Sequence, residues 1–582
     1  MGSIGALTGA GPGAEARLRG ALGRSPHRGK VIGILVVDDV AIGATCISGR
    51  DGGLHLGSEW SVAFAGVIDA VGTVDSPDNP AERIAQAIER DGPAALARVR
   101  GDFTCVATDG HRLVAARDHL GTDALFVGRT GSVAAVMSEP KQVVAALGIS
   151  RRANIDALVS VYFSQWEASD DVPSVVQGVD RVPRAAIVEV TGRGWRRIGR
   201  VWDPESLLET SRLSVAEAAE VGWSVIEKAV GRSLTSRSAI TLSGGIDSTV
   251  IAAAAAGGAE GVGAVSAVYP HAPSVDESEY INATAKSLDI ELTTYTPERE
   301  RLDSIRLWVD RIDGPSHGLA IGPVSEMNDV AAAAGYDTLL GGEMAELVYD
   351  LREHALAGMV WRRRGAAVAE HIRGLRERGM SPSSLVRLVA AGMVPSPVGL
   401  AYARRFRRAT DPASWLDRSF MPGLDRRWAF ERPARRRWSD IQLFFAVGPS
   451  FPGLEASTVM GDVAGVRTRR PLTDRDVWEF FLSLPPEVKF PDAHTKSLIR
   501  LMLDGRAPDE VVWRTDKTVF DEDSLGRAEY PFLIEQLSDG FRMPGVDYTE
   551  LLRRLDSRSL TMWELSMART LVSIHAFVSV SP

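Results

Sequence analysis

Only two cysteines, Cys46 and Cys105, occur among the 582 residues. That scarcity excludes a disulfide framework and a cysteine-rich metal site, and it suits a reducing cytoplasm. Long apolar runs are missing too. The best of them, Val31-Ile-Gly-Ile-Leu-Val-Val37 and Val250-Ile-Ala-Ala-Ala-Ala-Ala256, fall far short of the ~20 residues that a membrane span needs. Residues 1–30 are rich in Gly, Ala and Arg, with no apolar core ahead of a cleavage site, and read as a mobile extension. An excess of positive charge is also absent: 66 basic residues stand against 75 acidic ones, net −9. Such a chain has no global field for nucleic acid. Single histidines such as His317 and His494 lack ligand spacing and read as structural.

What remains is an ordinary globular composition, 45% hydrophobic and 24% charged, enough for two or three domains with cores. The first ~200 residues read mainly as β. Strands are expected at Val31–Val37, Trp60–Val71, Asp102–Thr108, Arg112–Ala116, Ala124–Val127 and Val133–Ser138. Helices are expected at Pro80–Arg90 and Pro93–Val99, and a hairpin-like passage at Val175–Trp202. This is the pattern of a layered α/β sandwich. From Val215 strands and helices alternate: helix Val215–Val230, strand Ala239–Leu242, helix Ser248–Ala256, strand Gly263–Tyr269, helix Ser278–Ser287, strand Glu291–Tyr295, helices Arg301–Ile312 and Val324–Ala334, strand Thr338–Leu340. Alternation of this kind implies a doubly wound parallel sheet. The rest is mostly helical. The domains are therefore expected at 31–210 and 211–582.

Within the second domain, residues 351–440 hold 19 Arg and no Lys against 8 acidic residues, net +11. Four tryptophans, Trp361, Trp415, Trp428 and Trp438, lie in the same stretch. Such a block is either a set of solvated helical faces or a basic surface for an acidic peptide or anionic polymer.

The most specific signal is Ala239-Ile-Thr-Leu-Ser-Gly-Gly-Ile-Asp-Ser-Thr-Val250. A strand runs into Ser243-Gly244-Gly245-Ile246-Asp247-Ser248 and then into a helix. Paired glycines let the backbone approach a phosphate, and the amides of the new helix point at the anion. Ser243 and Ser248 add hydroxyls. Asp247 is the informative residue, because a carboxylate beside phosphates needs a bridging cation, and Mg²⁺ takes one or two carboxylates plus phosphate oxygens.

This string resembles the pyrophosphate loop of ATP pyrophosphatases, which cleave ATP to AMP and pyrophosphate while adenylating a substrate. It lacks the lysine of a Walker loop. Further segments resemble the asparagine synthetase-like amidotransferases: Leu96-Ala-Arg-Val-Arg-Gly-Asp-Phe103, Ala116-Arg-Asp-His-Leu-Gly-Thr-Asp-Ala-Leu125, Met137-Ser-Glu-Pro-Lys141, Gly178-Val-Asp-Arg-Val-Pro183, Asp276-Glu277, Thr338-Leu-Leu-Gly-Gly-Glu343, Leu484-Pro-Pro486, Lys496-Ser-Leu-Ile-Arg500 and Trp513-Arg-Thr-Asp-Lys517. The resemblance spans roughly residues 31–530. It implies an N-terminal glutaminase-like sandwich and a C-terminal ATP-pyrophosphatase domain with helical additions.

The resemblance also assigns roles. Ser243, Gly244, Gly245 and Ser248, with Gly342, would cradle the phosphates of ATP. Asp247 and Glu346 would hold Mg²⁺, although relatives usually carry Asp at the second position. Glu343 would accept a proton from the attacking amine. Lys517 would stabilise charge at the α-phosphate, with Lys496 as the alternative. Main chain at Leu242 and Ser266–Val268 would face adenine.

A working glutaminase in this family has an N-terminal cysteine nucleophile. Here the matching strand is expected at Val31–Ile34, with Ile32 in the cysteine position, and Ala65-Gly66 replaces an Asn-Gly oxyanion segment. Ile has no nucleophilic atom. Two branches with a dead glutaminase domain are similar: the β-lactam synthetases and the lasso peptide cyclases. The first place a Tyr where this chain has Glu343, and the basic block lengthens this chain. The expectation is a cyclase that joins a precursor peptide's N-terminal amine to an Asp or Glu side chain. A leader-peptide-binding protein and a leader peptidase are its expected partners.

Overall fold

The computed structural model describes residues 1–47, 51–75, 78–163, 174–258, 261–297, 305–316, 321–350, 355–377, 379–393, 413–417, 438–448, 452–492, 494–515 and 530–580. The strands of the N-terminal part are β1 (Ile4–Thr8), β2 (Lys30–Val37), β3 (Val40–Cys46), β4 (Gly52–His55), β5 (Ser61–Val71), β6 (Val74–Asp75), β7 (Val99–Thr108), β8 (Leu113–Arg117), β9 (Phe126–Thr130), β10 (Val133–Met137), β11 (Val179–Arg181), β12 (Ala186–Thr191) and β13 (Gly194–Arg200). They form two antiparallel sheets, in the orders β11-β9-β10-β1-β3-β2 and β13-β12-β8-β7-β5-β4, with β6 on the far half of β5. Ile4, Ala6, Ile42, Ala65, Val106, Ala115 and Val188 close the space between the sheets. Helices α1 (Ala14–Leu22) and α2 (Pro80–Asp91) cover opposite outer faces: Leu18 and Leu22 pack with Leu7 and Met137, and Ile84 and Ile88 with Phe103 and Cys105. The result is a four-layer sandwich, helix–sheet–sheet–helix. Residues 93–98, expected as α-helix, form a 3-10 turn.

The expected mobile extension is corrected. Residues 4–8 are a central strand, paired with β10 (Gly5↔Met137) and β3 (Ile4↔Ala44). The alternation works in a short space: Ile4 and Ala6 face the other sheet, and Gly5 and Leu7 face α1. Gly5 must be small, because a Cβ there would meet Met137 Sδ at 2.6 Å and Leu18 Cδ1 at 2.7 Å. Conversely, β2, taken as the buried first strand, is a sheet edge, with Ile32 49% exposed.

Burial of charge ties this opening segment down. Glu139 accepts from Ser25 Oγ at 2.6 Å, His27 Nε2 at 2.8 Å and Arg28 Nε at 2.8 Å, with Lys141 Nζ at 3.0 Å. Arg28 also reaches Asp123 at 2.8 Å. Burial alone would raise the Glu139 carboxyl, but Arg28, His27 and Lys141 overcome it and hold the group well below the usual carboxylate range.

The second part opens with α5 (Val215–Ser233), capped by a Ser214/Glu217 capping box. Its sheet contains β14 (Ser238–Thr241), β15 (Gly263–Ala267), β16 (Glu291–Tyr295), β17 (Thr338–Leu340) and β18 (Arg467–Arg469), all parallel, in the order β16-β15-β14-β17-β18. Helices α5 and α6 (Ile246–Ala256) cover one face through Ile226, Val250 and Ile251. Ala331, with half-buried Met327 and Val330, covers the other. The sheet is therefore doubly wound, as expected. The chain runs outward from β14 through β15 to β16, then returns to the other side as β17 and β18. The order reverses between β14 and β17, and ligands of open α/β sheets sit in that crevice, beyond the carboxyl ends of the strands. Among the described residues, no helix is long and apolar enough to cross a membrane.

Candidate active site

The loop after β14 lies at this switch point. Gly244 takes φ +75°, and a Cβ on it would press on Glu277 Cβ at 3.1 Å and Tyr280 Cβ at 3.3 Å, so the turn needs glycine. Gly245 precedes α6 without a side-chain cap, which leaves the helix's first amides to the loop. Ser248 Oγ donates to the Gly245 carbonyl at 3.0 Å and accepts the Ser243 amide at 3.1 Å, and it lies 3.2 Å from Ser243 Oγ. The two serines thus fix the loop's shape as well as presenting hydroxyls.

The loop after β17 closes on it. Gly342 lies so near that a Cβ would be 2.9 Å from Asp247 Cβ. Met344 at φ 66° turns the chain into α10 (Ala345–Tyr349). Asp247, in the first turn of α6, has both carboxylate oxygens engaged. Tyr349 Oη donates to Oδ1 at 2.5 Å, and Lys496 Nζ lies 2.6 Å from Oδ2. Burial, with Asp247 beside it, holds the Tyr349 hydroxyl well above its usual range, so it acts as the donor. Lys496 stands at φ 56° in a turn braced by Asp492, which accepts from the His494 amide and from Ser497 Oγ, and by Arg500, which grips the Thr495 carbonyl. Two left-handed non-glycine residues, Met344 and Lys496, thus flank one site, as strained backbone does at functional centres.

Glu343 meets Arg470, whose Nε donates to Oε2 at 2.6 Å, while Ser457 Oγ lies 3.3 Å from Oε1. Arg470 is 2% exposed and Glu343 35%. The neighbouring Arg469 points the other way, into the N-terminal part, where it meets Asp69 at 2.8 Å and Asp102 at 3.1 Å. Two adjacent arginines at the end of β18 therefore link the sandwich to the site.

Of the expected site residues, Ser243, Gly244, Gly245, Asp247, Ser248, Gly342, Glu343 and Lys496 come together. Glu346 is exposed on α10, close enough for its charge to act on Tyr349. Lys517 lies outside the described residues. At the adenine position, Ser266 Oγ donates to the Leu242 carbonyl. The Leu242 and Val268 amides are committed to the carbonyls of Val265 (3.0 Å) and Tyr295 (2.9 Å). Sequence reading missed Tyr349, Arg470 and Ser457. Each lies over a hundred residues from its partner or in a segment with no motif of its own.

No cluster of three or more His, Cys, Asp or Glu able to hold a metal occurs among the described residues. Asp247, with Glu346 nearby, supplies the one or two carboxylates that Mg²⁺ uses when phosphate oxygens complete its shell, so the donor set fits a metal shared with a nucleotide and not a protein-only cage.

The glutaminase position also needs correction. Ile32 lies on the edge strand β2, whereas the residues ahead of the central strand β1 are Met1-Gly2-Ser3. Cysteine is absent there too, and a Cβ on Gly2 would lie 2.1 Å from the Thr45 carbonyl oxygen. Ser3 Oγ donates to Gln142 at 3.1 Å. The Gly66 amide is spent on the Asp51 carbonyl at 3.0 Å. Of the basic block, Arg362 and Arg364 pair with Glu487 at 3.3 and 2.8 Å, Trp415 is buried, and Arg404, Arg405, Arg407, Arg408 and Trp428 lie outside the described residues.

Comparison with known proteins identifies the family. The chain is 23% identical over 489 residues to asparagine synthetase [glutamine-hydrolyzing] 3 of Bacillus subtilis, covering 79% of this chain and 74% of that protein. It is 28% identical over 190 residues to carboxyethyl-arginine beta-lactam-synthase of Streptomyces clavuligerus, covering 31% of this chain and 33% of the relative. Among solved structures, glutamine phosphoribosylpyrophosphate amidotransferase from B. subtilis aligns with TM-score 0.25 at 11% identity, over 58% of this chain and 81% of that one. The glutamine amidotransferase domain family matches residues 74–201 and the asparagine synthase family matches residues 224–571. The chain belongs to the asparagine synthase family and carries a glutamine amidotransferase-like domain ahead of its synthase domain.

Proposed function

We propose that the protein is an ATP-dependent, AMP-forming ligase that closes a macrolactam in a precursor peptide, as lasso peptide cyclases do. One observation carries the reading: the phosphate loop is formed, while neither Ile32 nor Gly2 ahead of the central strand offers a nucleophile. Ammonia from glutamine is then not the acceptor, and another amine must attack the activated carboxylate. The arginine-rich block and Glu343 favour a peptide over a small amino acid.

In this reading the peptide's Asp or Glu carboxylate attacks the α-phosphate of ATP, giving an acyl-adenylate and pyrophosphate. Ser243, Gly244, Gly245 and Ser248 hold the pyrophosphate end, and Asp247, with Glu346, would hold Mg²⁺. The metal, when bound, supplies neutralisation of phosphate charge. Lys496 brings a compact cation to the same place. Glu343, steadied by Arg470 and Ser457, takes the proton released as the N-terminal amine attacks the acyl carbon and AMP departs. Holding both peptide ends in one pocket removes much of the bimolecular entropy cost, up to ~7–11 kcal/mol in favourable cases.

The β-lactam synthase relative favours a second reading, ring closure within a small amino acid. Incubation with ATP, Mg²⁺ and either a core peptide or a small amino acid separates the two. The substrate that loses one water while pyrophosphate appears identifies the reaction.

A further inference from the structure

Asp247 carries one negative charge and already holds two donors. Tyr349 is 2% exposed and packs against Phe481 with ring centroids 5.4 Å apart, so its hydroxyl stays on Oδ1. The exchangeable oxygen is Oδ2, which the Lys496 ammonium holds at 2.6 Å, with both side chains about a fifth exposed. The Lys496 backbone is pinned in its braced turn, and any movement of the ammonium uses the rotatable bonds of its four-carbon stem. A divalent cation binds a carboxylate oxygen at about 2.1 Å. On Oδ2 it would lie within about 4.7 Å of the ammonium, two cations meeting at one carboxylate oxygen, with Glu346, exposed nearby, as the other carboxylate of the site.

We propose that Lys496 and a divalent cation exclude one another at Asp247, so that metal arrival releases the lysine toward the phosphate loop. Lys496 is then a placeholder as well as a phosphate ligand. Its delivery is coupled to loading of the metal, and Tyr349 is the positioning residue that decides which oxygen is exchanged. The inference rests on Asp247 being the metal ligand of the proposed ligase.

The test titrates the full chain with Mn²⁺ alone up to millimolar levels, because water must stand in for the phosphate oxygens of the shell, with free Mn²⁺ read by electron paramagnetic resonance. Lys496→Met should bind Mn²⁺ about tenfold more tightly than wild type, the scale of one removed like-charge contact in a partly open site. Tyr349→Phe should bind it about tenfold more weakly, as outer-shell partners of metal ligands do. Unchanged or weaker binding by a folded Lys496→Met overturns the proposal. A second measurement needs no variant: amine-reactive labelling of Lys496 in wild type, read by mass spectrometry, should speed up as Mg²⁺ is added. A constant or slower rate overturns the proposal as well. Neither readout involves turnover. Metal exchange without peptide cyclisation would refute the proposed ligase alone, and cyclisation without metal exchange would refute this inference alone.

Discussion

Replacing Asp247 by Asn should separate activity from stability. The side chain keeps its size and one acceptor oxygen but loses its charge. In the folded protein that charge serves an ion pair whose partners are 20% and 22% exposed. Partly exposed pairs of this kind contribute about 0.5–1 kcal/mol, and for a chain of this size that corresponds to a melting shift of roughly 2 °C or less. The functional loss is much larger. A neutral amide is a weak ligand for Mg²⁺, and charge on the departing pyrophosphate goes unneutralised; losses of this class are about 10²–10³-fold, or ~3–4 kcal/mol. The assay is ATP-dependent pyrophosphate release beside thermal unfolding of the same preparations. Near-normal turnover with unchanged melting would show that Asp247 is not a ligand. A large drop in melting temperature would show that its role is structural.

The remaining predictions concern the two ends of the molecule. Purified protein should release no glutamate from glutamine, and Gly2→Cys should not restore release, because its Cβ would collide with Thr45; steady glutamate production by either form contradicts this. Glu139→Gln should cost about 2–4 kcal/mol in denaturant unfolding, since buried Arg28 loses its partner at Nε and keeps Asp123 at 2.8 Å and the more distant Asp462 at 3.8 Å. Because the folded Glu139 carboxyl lies below its unfolded value of 4.5, its stabilisation is present above about pH 4.5 and lost as pH falls through the folded value. The variant should lack that part of the acid-induced loss, and an unchanged pH–stability curve would refute it. Arg404, Arg405, Arg407 and Arg408, replaced together by Ala, should raise the peptide KM at low salt and leave the ATP KM nearly unchanged; an unaltered peptide KM makes the cluster a solvated surface.

How much was legible in the sequence depended on whether the signal was local. Residues 243–248 carry their own strand, turn and helix within one short string, and the sheet placed them where that string implied. The first strand escaped detection because Ile4-Gly5-Ala6-Leu7 is short and small-chained, set in a Gly- and Ala-rich context. Its pairing with β3 and β10 is what makes it a strand. The longer apolar run at Val31–Val37 drew attention as a core strand but lies at an edge, with Ile32 and Val36 exposed. Tyr349 and Asp247 are 102 residues apart, and Arg470 and Glu343 are 127 apart. Such pairs are created by the switch between β14, β17 and β18 and leave no periodic trace. The sequence pointed first to Lys517, with Lys496 as the alternative; the position of Lys496 at Asp247 is information that only the fold supplies.

The central claim is that an intramolecular amine, not ammonia, captures the adenylated carboxylate. Intact-mass analysis of a core peptide bearing an N-terminal amine and a ring-position Asp or Glu, incubated with the protein, ATP and Mg²⁺, tests it most directly. The account predicts loss of one water from the peptide, with one AMP and one pyrophosphate formed per ring. Conversion of the carboxylate to a primary amide in the presence of glutamine, or an unchanged peptide beside a cyclised small amino acid, would contradict it.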